Sequence, residues 1–365
     1  MAQAQVPVTV LTGYLGAGKT TLLNRILSEQ HGEKIAVIEN EFGPEGVDNE
    51  LLVTETNEQI VEMNNGCICC TVRGDLVRIL VDLKRKREAK ELAFERVIIE
   101  TTGMANPGPV TQTFFIEEDI ASYYLLDSVI TVVDAKHGHE TLDAQAEAQN
   151  QVGFADRILL SKTDLVDAEE LASLRERIVR MNPRAPIKQV NFGQVPLKEV
   201  LDLRGFNLNA ILDIDPEFLA SEHPDAKKSR PGDGHAGHNH DNDHVHDEHC
   251  GHNHDDGHHH AHHHHDDAIK AFVFQSNRPF DSAKLEEYMG ALTQVYGPDM
   301  LRYKGVLFIN GTNRRMIFQG VHMLMGGDVG RPWGKDEKPS TKMVFIGRNL
   351  PKDTILKGLE ACLAR

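Results

Sequence analysis

The chain has 365 residues, enough for two compact domains, and 40% of them are apolar, an ordinary share for globular protein. Its formal net charge of -16 excludes a general nucleic-acid surface, because phosphate binding needs clustered Lys and Arg that outweigh nearby carboxylates. No apolar run reaches the ~18 residues of a membrane span, and the N-terminus lacks a basic region leading into an apolar leader, so a cytoplasmic protein with no membrane partner is expected.

From the N-terminus to about residue 213, apolar strand-like runs alternate with amphipathic helical patterns. The runs are "PVTVLTG", "KIAVIEN", "RVIIETTG", "SVITVVDA", "RILLSKTD" and "PIKQVNFG", with helices such as "TTLLNRILSEQ" and "EELASLRERIVRMN" between them. Strands separated by helices imply an α/β domain over residues 1–213, with a mainly parallel sheet covered on both faces. Residues 214–267 lose apolar periodicity and turn to Asp, Gly, Asn and His, which reads as a flexible linker. Residues 268–365 follow the order strand, helix, three strands, helix, a small α+β domain. The basic run "KRKRE" from Lys84 sits on an expected helix beside Glu88 and Glu91 and reads as a solvated face.

The first strand runs into "GYLGAGKT", which fits the phosphate-loop pattern G-x-x-x-x-G-K-[ST] at the strand-to-helix junction where that pattern works. The backbone through Gly13, Gly16, Ala17 and Gly18 turns its N–H groups toward a β-phosphate, and the helix N-terminus adds partial positive charge. Lys19 bridges β- and γ-phosphates in this pattern. Thr20 offers a hydroxyl to magnesium, and Thr21 follows it in the same turn. "IENEFG" ends the second strand, and Glu39 and Glu41 share one face there, so one of them is a candidate metal contact; for Glu41 a solvated strand end is the competing reading. That segment is expected to join the strand beside the phosphate loop to the thiols that follow.

Those thiols are Cys67, Cys69 and Cys70 in "GCICC", three of the chain's five cysteines. In a reducing compartment they remain thiols, and a turn can converge them on a soft ion such as zinc, with an open fourth position suited to ligand exchange. Redox chemistry and a plain structural role are the competing readings. Glu100 ends the strand "RVIIE", where a carboxylate holds magnesium or its water, although many buried strands also end in an acid. Gly103 in "ETTG" offers an N–H to a γ-phosphate. "SKTD" then selects the base: a buried Asp164 accepts from guanine N1–H and the 2-amino group, which adenine does not supply, and Lys162 covers the base plane. Ser161 stands where Asn is commoner, so GTP of moderate affinity is expected, with GDP as product. Asn191 and Phe192 flank the base in this reading, and a mere strand-ending turn is its rival.

Fifteen of the twenty histidines fall between His235 and His265. His235, His238, His240, His244, His246, His249, His252 and His254 alternate with Asp, Gly and Asn. Neutral imidazoles on a flexible tract hold several zinc, nickel or copper ions without a prebuilt pocket, which suggests storage, with a soluble spacer as the alternative.

With the phosphate loop, "ENEFG", "GCICC", "ETTG" and "SKTD" in this order, the chain resembles the CobW-type metallochaperone GTPases, most closely their YjiA-like bacterial members. "LRYKG", "FQGVH", "RPWG" and "MVFIG" resemble that family's C-terminal domain. The resemblance implies slow GTP hydrolysis, zinc or a related ion (Co2+ or Ni2+) on Cys67, Cys69 and Cys70 with Glu39 nearby, and delivery to a metal-requiring client protein. Relatives often continue "ENEFG" with Glu; Pro44 stands there and Glu45 follows, so that position offers no carboxylate here. No arginine finger is identifiable, so turnover is expected to await a client or a second subunit in a homo-oligomer. A zinc buffer without nucleotide gating and a small-molecule kinase are the alternatives.

Overall fold

The computed structural model describes residues 5–29, 32–39, 72–203, 205–206, 267–335 and 337–364. Period-two burial sets its first sheet. In β1 (Val6–Gly13) Val8 and Val10 join one apolar layer and Leu11 the other, and in β3 (Arg96–Glu100) Val97 and Ile99 oppose Ile98. With β2 (Ile35–Glu39), β4 (Tyr124–Asp134), β5 (Arg157–Ser161) and β6 (Ile187–Val190) they form a sheet of order β2-β3-β1-β4-β5-β6, every pairing parallel. All six strands coincide with the apolar runs of the sequence.

Helix α1 (Lys19–Ser28) covers one face through Leu22, Leu23 and Ile26. The other face is covered by α2 (Val72–Glu88), α3 (Pro107–Ile116), the short α4 (Glu118–Ala121), α6 (Ala146–Phe154) and α7 (Ala168–Met181), with α5 (Gly138–Ala144) preceding α6. Two expectations change. β2 is the edge strand, and β3 separates it from β1, so "IENEFG" leaves from two strands away from the phosphate loop. The basic run on α2 is only partly a solvated face: Arg85 and Lys86 pair with Asp82, but Arg87 turns inward to the Phe94 carbonyl at 2.8 Å and the Tyr123 hydroxyl at 2.9 Å.

The second sheet is antiparallel, of order β10-β9-β8-β11-β7, from β7 (Ile269–Ser276), β8 (Met300–Leu307), β9 (Arg314–Val321), β10 (Leu324–Pro332) and β11 (Thr341–Arg348). The run "RRMIFQGVHMLM", expected as one strand, is two. His322, at a φ of 54°, and Met323 turn the chain between β9 and β10, a break that apolar content alone conceals. One face of this sheet packs on α8 (Ser282–Tyr296) and α9 (Lys352–Ala361) through Phe272, Met289, Leu292, Ile355 and Leu359. The other face, with Leu301, Val306, Ile317 and Val344, continues the apolar layer of the first sheet.

Buried charges fix that junction. Asp267, assigned by composition to the linker, is buried, and both of its oxygens accept from Arg177 Nε at 3.1 Å. Arg177 also donates to Asp143 at 2.7 Å and to the His139 carbonyl at 3.0 Å. Asp156 and Arg302 form a second pair at 3.0 Å, with the Arg302 guanidinium 3.9 Å from the Phe206 ring centroid. Arg177→Ala leaves the Asp267 carboxylate buried and unpaired and is expected to cost about 3–5 kcal/mol of unfolding free energy in urea titrations. Asp143→Ala, with a half-exposed carboxylate, is expected to cost less than about 1 kcal/mol; equal losses for the two variants contradict this assignment.

Candidate nucleotide and metal site

The loop between β1 and α1 carries the phosphate cradle. Gly13 has a φ of 149°, and a Cβ there would run into the Val132 carbonyl of β4, so only glycine lets the two strand ends close up. Gly16 and Gly18 also adopt positive φ, and Gly18 caps α1, whose first residue is Lys19. Ala17 is buried, and Thr21 lies on the first turn of α1 and lines the neighbouring cavity. Lys19 is 8% exposed and makes one long hydrogen bond, 3.4 Å to the Tyr14 carbonyl. Burial lowers its pKa and the Glu100 charge works against that, the situation of a cation set up for an anionic neighbour.

Thr20 donates its hydroxyl to Glu100 Oε1 at 3.1 Å, which brings the helix start and the end of β3 together. Both are hard oxygen donors beside the cradle, the ligand type magnesium takes, and they fit that ion. Register then extends the set. Glu100 pairs with Leu11 of β1 on one side and with Glu39 of β2 on the other. Two carboxylates therefore end adjacent parallel strands, one reaching Thr20 and the other starting the segment toward the thiols. Glu41, Cys67, Cys69, Cys70 and His235 through His254 lie outside the described residues. Among the described residues, no group of three or more His, Cys, Asp or Glu side chains is arranged to hold a metal.

Gly103 follows β3, and a Cβ on it would stand 2.6 Å from the Leu15 backbone nitrogen, so the turn and the phosphate loop are in contact. Its carbonyl accepts from Gln151 Nε2 of α6 at 3.1 Å, and the same amide reaches the Ala105 carbonyl at 3.0 Å. Gln151 is a positioning residue that the sequence did not reveal, because a buried glutamine on an amphipathic helix carries no spacing signal.

The base side is built from β5 and the turn after it. Ser161 donates to the Ala17 carbonyl at 2.7 Å, tying the recognition turn to the phosphate loop. Lys162 adopts φ 55°, and its ammonium pairs with Asp134 Oδ2 at 2.7 Å. Burial pushes the Asp134 carboxyl upward, but hydrogen bonds from Lys162, His137 and the Lys136 backbone outweigh it and hold the pKa below the ordinary value. Asp134 was also missed; the signal was the acid ending "TVVDA" on the strand next to "SKTD". Asn191 Oδ1 accepts from the Thr163 backbone N–H at 3.0 Å and hydroxyl at 3.1 Å, bracing the turn after β5. Asp164 and the Phe192 ring, 78% exposed, line a cavity of about 410 Å³ with Lys162 and Gly193. Asp164 is exposed rather than buried as expected.

A parallel sheet, a glycine cradle at a helix start, a strand-end carboxylate bonded to the loop hydroxyl and a lysine-aspartate turn together define a P-loop nucleotide-binding protein. The chain belongs to the CobW family: residues 7–189 match the CobW/HypB/UreG nucleotide-binding domain and residues 269–363 match the cobalamin synthesis protein cobW C-terminal domain. It is 41% identical over 351 residues to the zinc chaperone YjiA of Escherichia coli (strain K12), covering 96% of each chain. It is 33% identical to the zinc chaperone CobW of Pseudomonas aeruginosa over 99% of this chain and 92% of that one. The crystal structure of the Zn(II)-bound YjiA GTPase from E. coli superposes with a TM-score of 0.74 at 35% identity, over 99% of this chain and all, 100%, of that one.

Asp134→Asn removes the anchor of Lys162 and is expected to weaken GTP binding by about tenfold, read by fluorescent-nucleotide titration. The depressed Asp134 pKa means this contribution is present above the ordinary carboxylate range and is lost only as pH falls through the lower folded value. Unchanged affinity in the variant contradicts the positioning role.

Proposed function

We propose that this chain is a GTP-hydrolysing zinc chaperone, in which nucleotide state at the cradle governs zinc held by Cys67, Cys69 and Cys70. The observation that carries this reading is the carboxylate pair ending β2 and β3, with Glu100 on Thr20 and Glu39 leading toward the thiols. Its relative YjiA of E. coli is itself a zinc chaperone and a GTPase.

In this mechanism the backbone N–H groups of Gly16 to Lys19 and the Lys19 ammonium bind the β- and γ-phosphates and stabilise charge as the terminal phosphoryl leaves. Thr20 and Glu100 would hold magnesium, which would neutralise negative charge on the phosphates. Gly103 presents its N–H to the γ-phosphate, with Gln151 holding the turn by its carbonyl. Asp164 accepts from the guanine edge, and Lys162, anchored by Asp134, covers the base. Loss of the γ-phosphate relaxes the Gly103 turn and the Glu100 end of β3, and the register with Glu39 passes that change to β2 and the cysteine segment. Zinc is the cargo. The histidines from His235 to His265 store it within a linker that begins near residue 214 and ends before the buried Asp267, between a GTPase domain of residues 1–213 and a client-facing second domain. The protein works in the cytoplasm, Co2+ and Ni2+ are its competing metals, and a second copy or the client completes the slow GTPase.

Two experiments test this reading. Asp164→Asn presents an amide N–H where xanthine carries a carbonyl, so its preference should move from GTP to XTP by more than tenfold; retained GTP preference contradicts the base assignment. Serine at positions 67, 69 and 70 should abolish one tight zinc site while leaving GTP binding intact. Deleting residues 235–265 should remove most zinc capacity and spare that site. If the deletion removes the tight site, the chain is a buffer without a carrier site.

A further inference from the structure

The second domain carries buried donors that the nucleotide reading does not use. Arg315 of β9 is 2% exposed, and its Nη2 donates to Glu337 Oε2. Among the described residues, its Nε and Nη1 have no hydrogen-bond acceptor, nor does the buried indole Nε1 of Trp333. These groups belong to one place: the guanidinium carbon lies 4.8 Å from the Trp333 ring centroid, and the Trp333 backbone N–H is held by the Asn313 carbonyl at 2.9 Å. A buried donor without an acceptor loses its hydration and receives nothing in return.

The group that already touches the fork identifies what the fork takes. Glu337 brings a carboxylate from the loop after β10, and its Oε2 also accepts from the Gly334 N–H at 3.0 Å. Its side chain is 32% exposed, so this carboxylate sits at the mouth of the site while the guanidinium lies behind it. Guanidinium forks match carboxylates through two parallel N–H bonds, and here only part of the fork is used. Cations predominate at the rim: Arg314, Arg331, Lys335 and Lys338 are exposed on the same hairpin and loop, with Asp328 as the exposed carboxylate on β10, in a chain whose net charge is -16. Local positive potential on an acidic chain favours an acidic visitor.

We propose that Arg315 and Trp333 form a carboxylate-binding site that Glu337 occupies from within, and that an acidic side chain of a partner polypeptide exchanges with Glu337 there. Glu337 is itself a carboxylate borne on polypeptide, so an acidic peptide segment is the ligand class the geometry already displays. This assignment is independent of the nucleotide site.

Trp333 is the chain's single tryptophan, so its emission reports this site alone. The full-length chain is titrated at constant ionic strength with a hexaglutamate peptide, with a hexaglutamine peptide and with sodium sulfate. Hexaglutamate should give a saturable change, and hexaglutamine none. Glu337→Gln, which releases the fork, should tighten the hexaglutamate response by about tenfold with GTP hydrolysis unchanged. Arg315→Gln should abolish the response; where that variant does not fold, Glu337→Gln still decides. Absent or non-saturating responses in both wild type and Glu337→Gln overturn the proposal and assign the donors to water. A response to sulfate equal to that to hexaglutamate at matched charge overturns the carboxylate assignment.

Discussion

Everything functional in the first domain depends on how three strand ends are held side by side. Leu11, Glu100 and Glu39 occupy paired positions on β1, β3 and β2, and Thr20 reaches Glu100 from the helix that β1 feeds. β3 is paired along its length with β1 on one side and β2 on the other, so its end is held by both neighbours. In β3, Val97, Ile98 and Ile99 are all buried, so the position of Glu100 is fixed by the core beneath it. In the proposed mechanism, a change at the Glu100 carboxylate has the paired strand ends of β1 and β2 as its immediate neighbours. Placing β3 between β1 and β2 makes Glu100 the intermediate, a role that direct pairing of β2 with β1 would have removed.

The same economy appears on the base side. Ser161 spends its proton on the Ala17 carbonyl, and Asn191 spends its carbonyl on Thr163, so both brace the recognition turn. In the proposed mechanism Lys162 and Asp164 meet the base. Lys162 holds a left-handed backbone conformation that a lysine rarely adopts, and the Asp134 pair is part of what sustains it. An asparagine in place of Ser161 would bring a second polar arm; the serine gives the same tie to the phosphate loop with less reach.

The six parallel strands were legible in the sequence because each is a short apolar run ending in turn chemistry, and the cradle because its glycines have backbone reasons to be there. Strand order was not legible, since β2 and β3 are both apolar runs ending in Glu and nothing in their composition says which lies beside β1. The β9–β10 hairpin escaped because His322 and Met323 are not residues that announce a turn, and His322 takes a positive φ held by a backbone hydrogen bond to Met300. Gln151 and the Arg177–Asp267 pair act across sequence separations that no local pattern encodes. Asp164, expected to be buried, is exposed because it lies in the short helical turn Thr163–Leu165 beyond the end of β5 rather than in the sheet.

The central claim is that phosphate occupancy at Thr20 and Glu100 changes the zinc affinity of the cysteine segment. The most direct measurement is the zinc dissociation constant of the full-length chain, by competition with a chromophoric chelator, with a non-hydrolysable GTP analogue, with GDP and with neither. The account requires the three constants to differ, with the GTP-analogue and GDP states separated by at least about fivefold, a typical lower bound for coupled sites. Identical constants in the three states would contradict it, because a ligand bound equally in every state shifts no equilibrium.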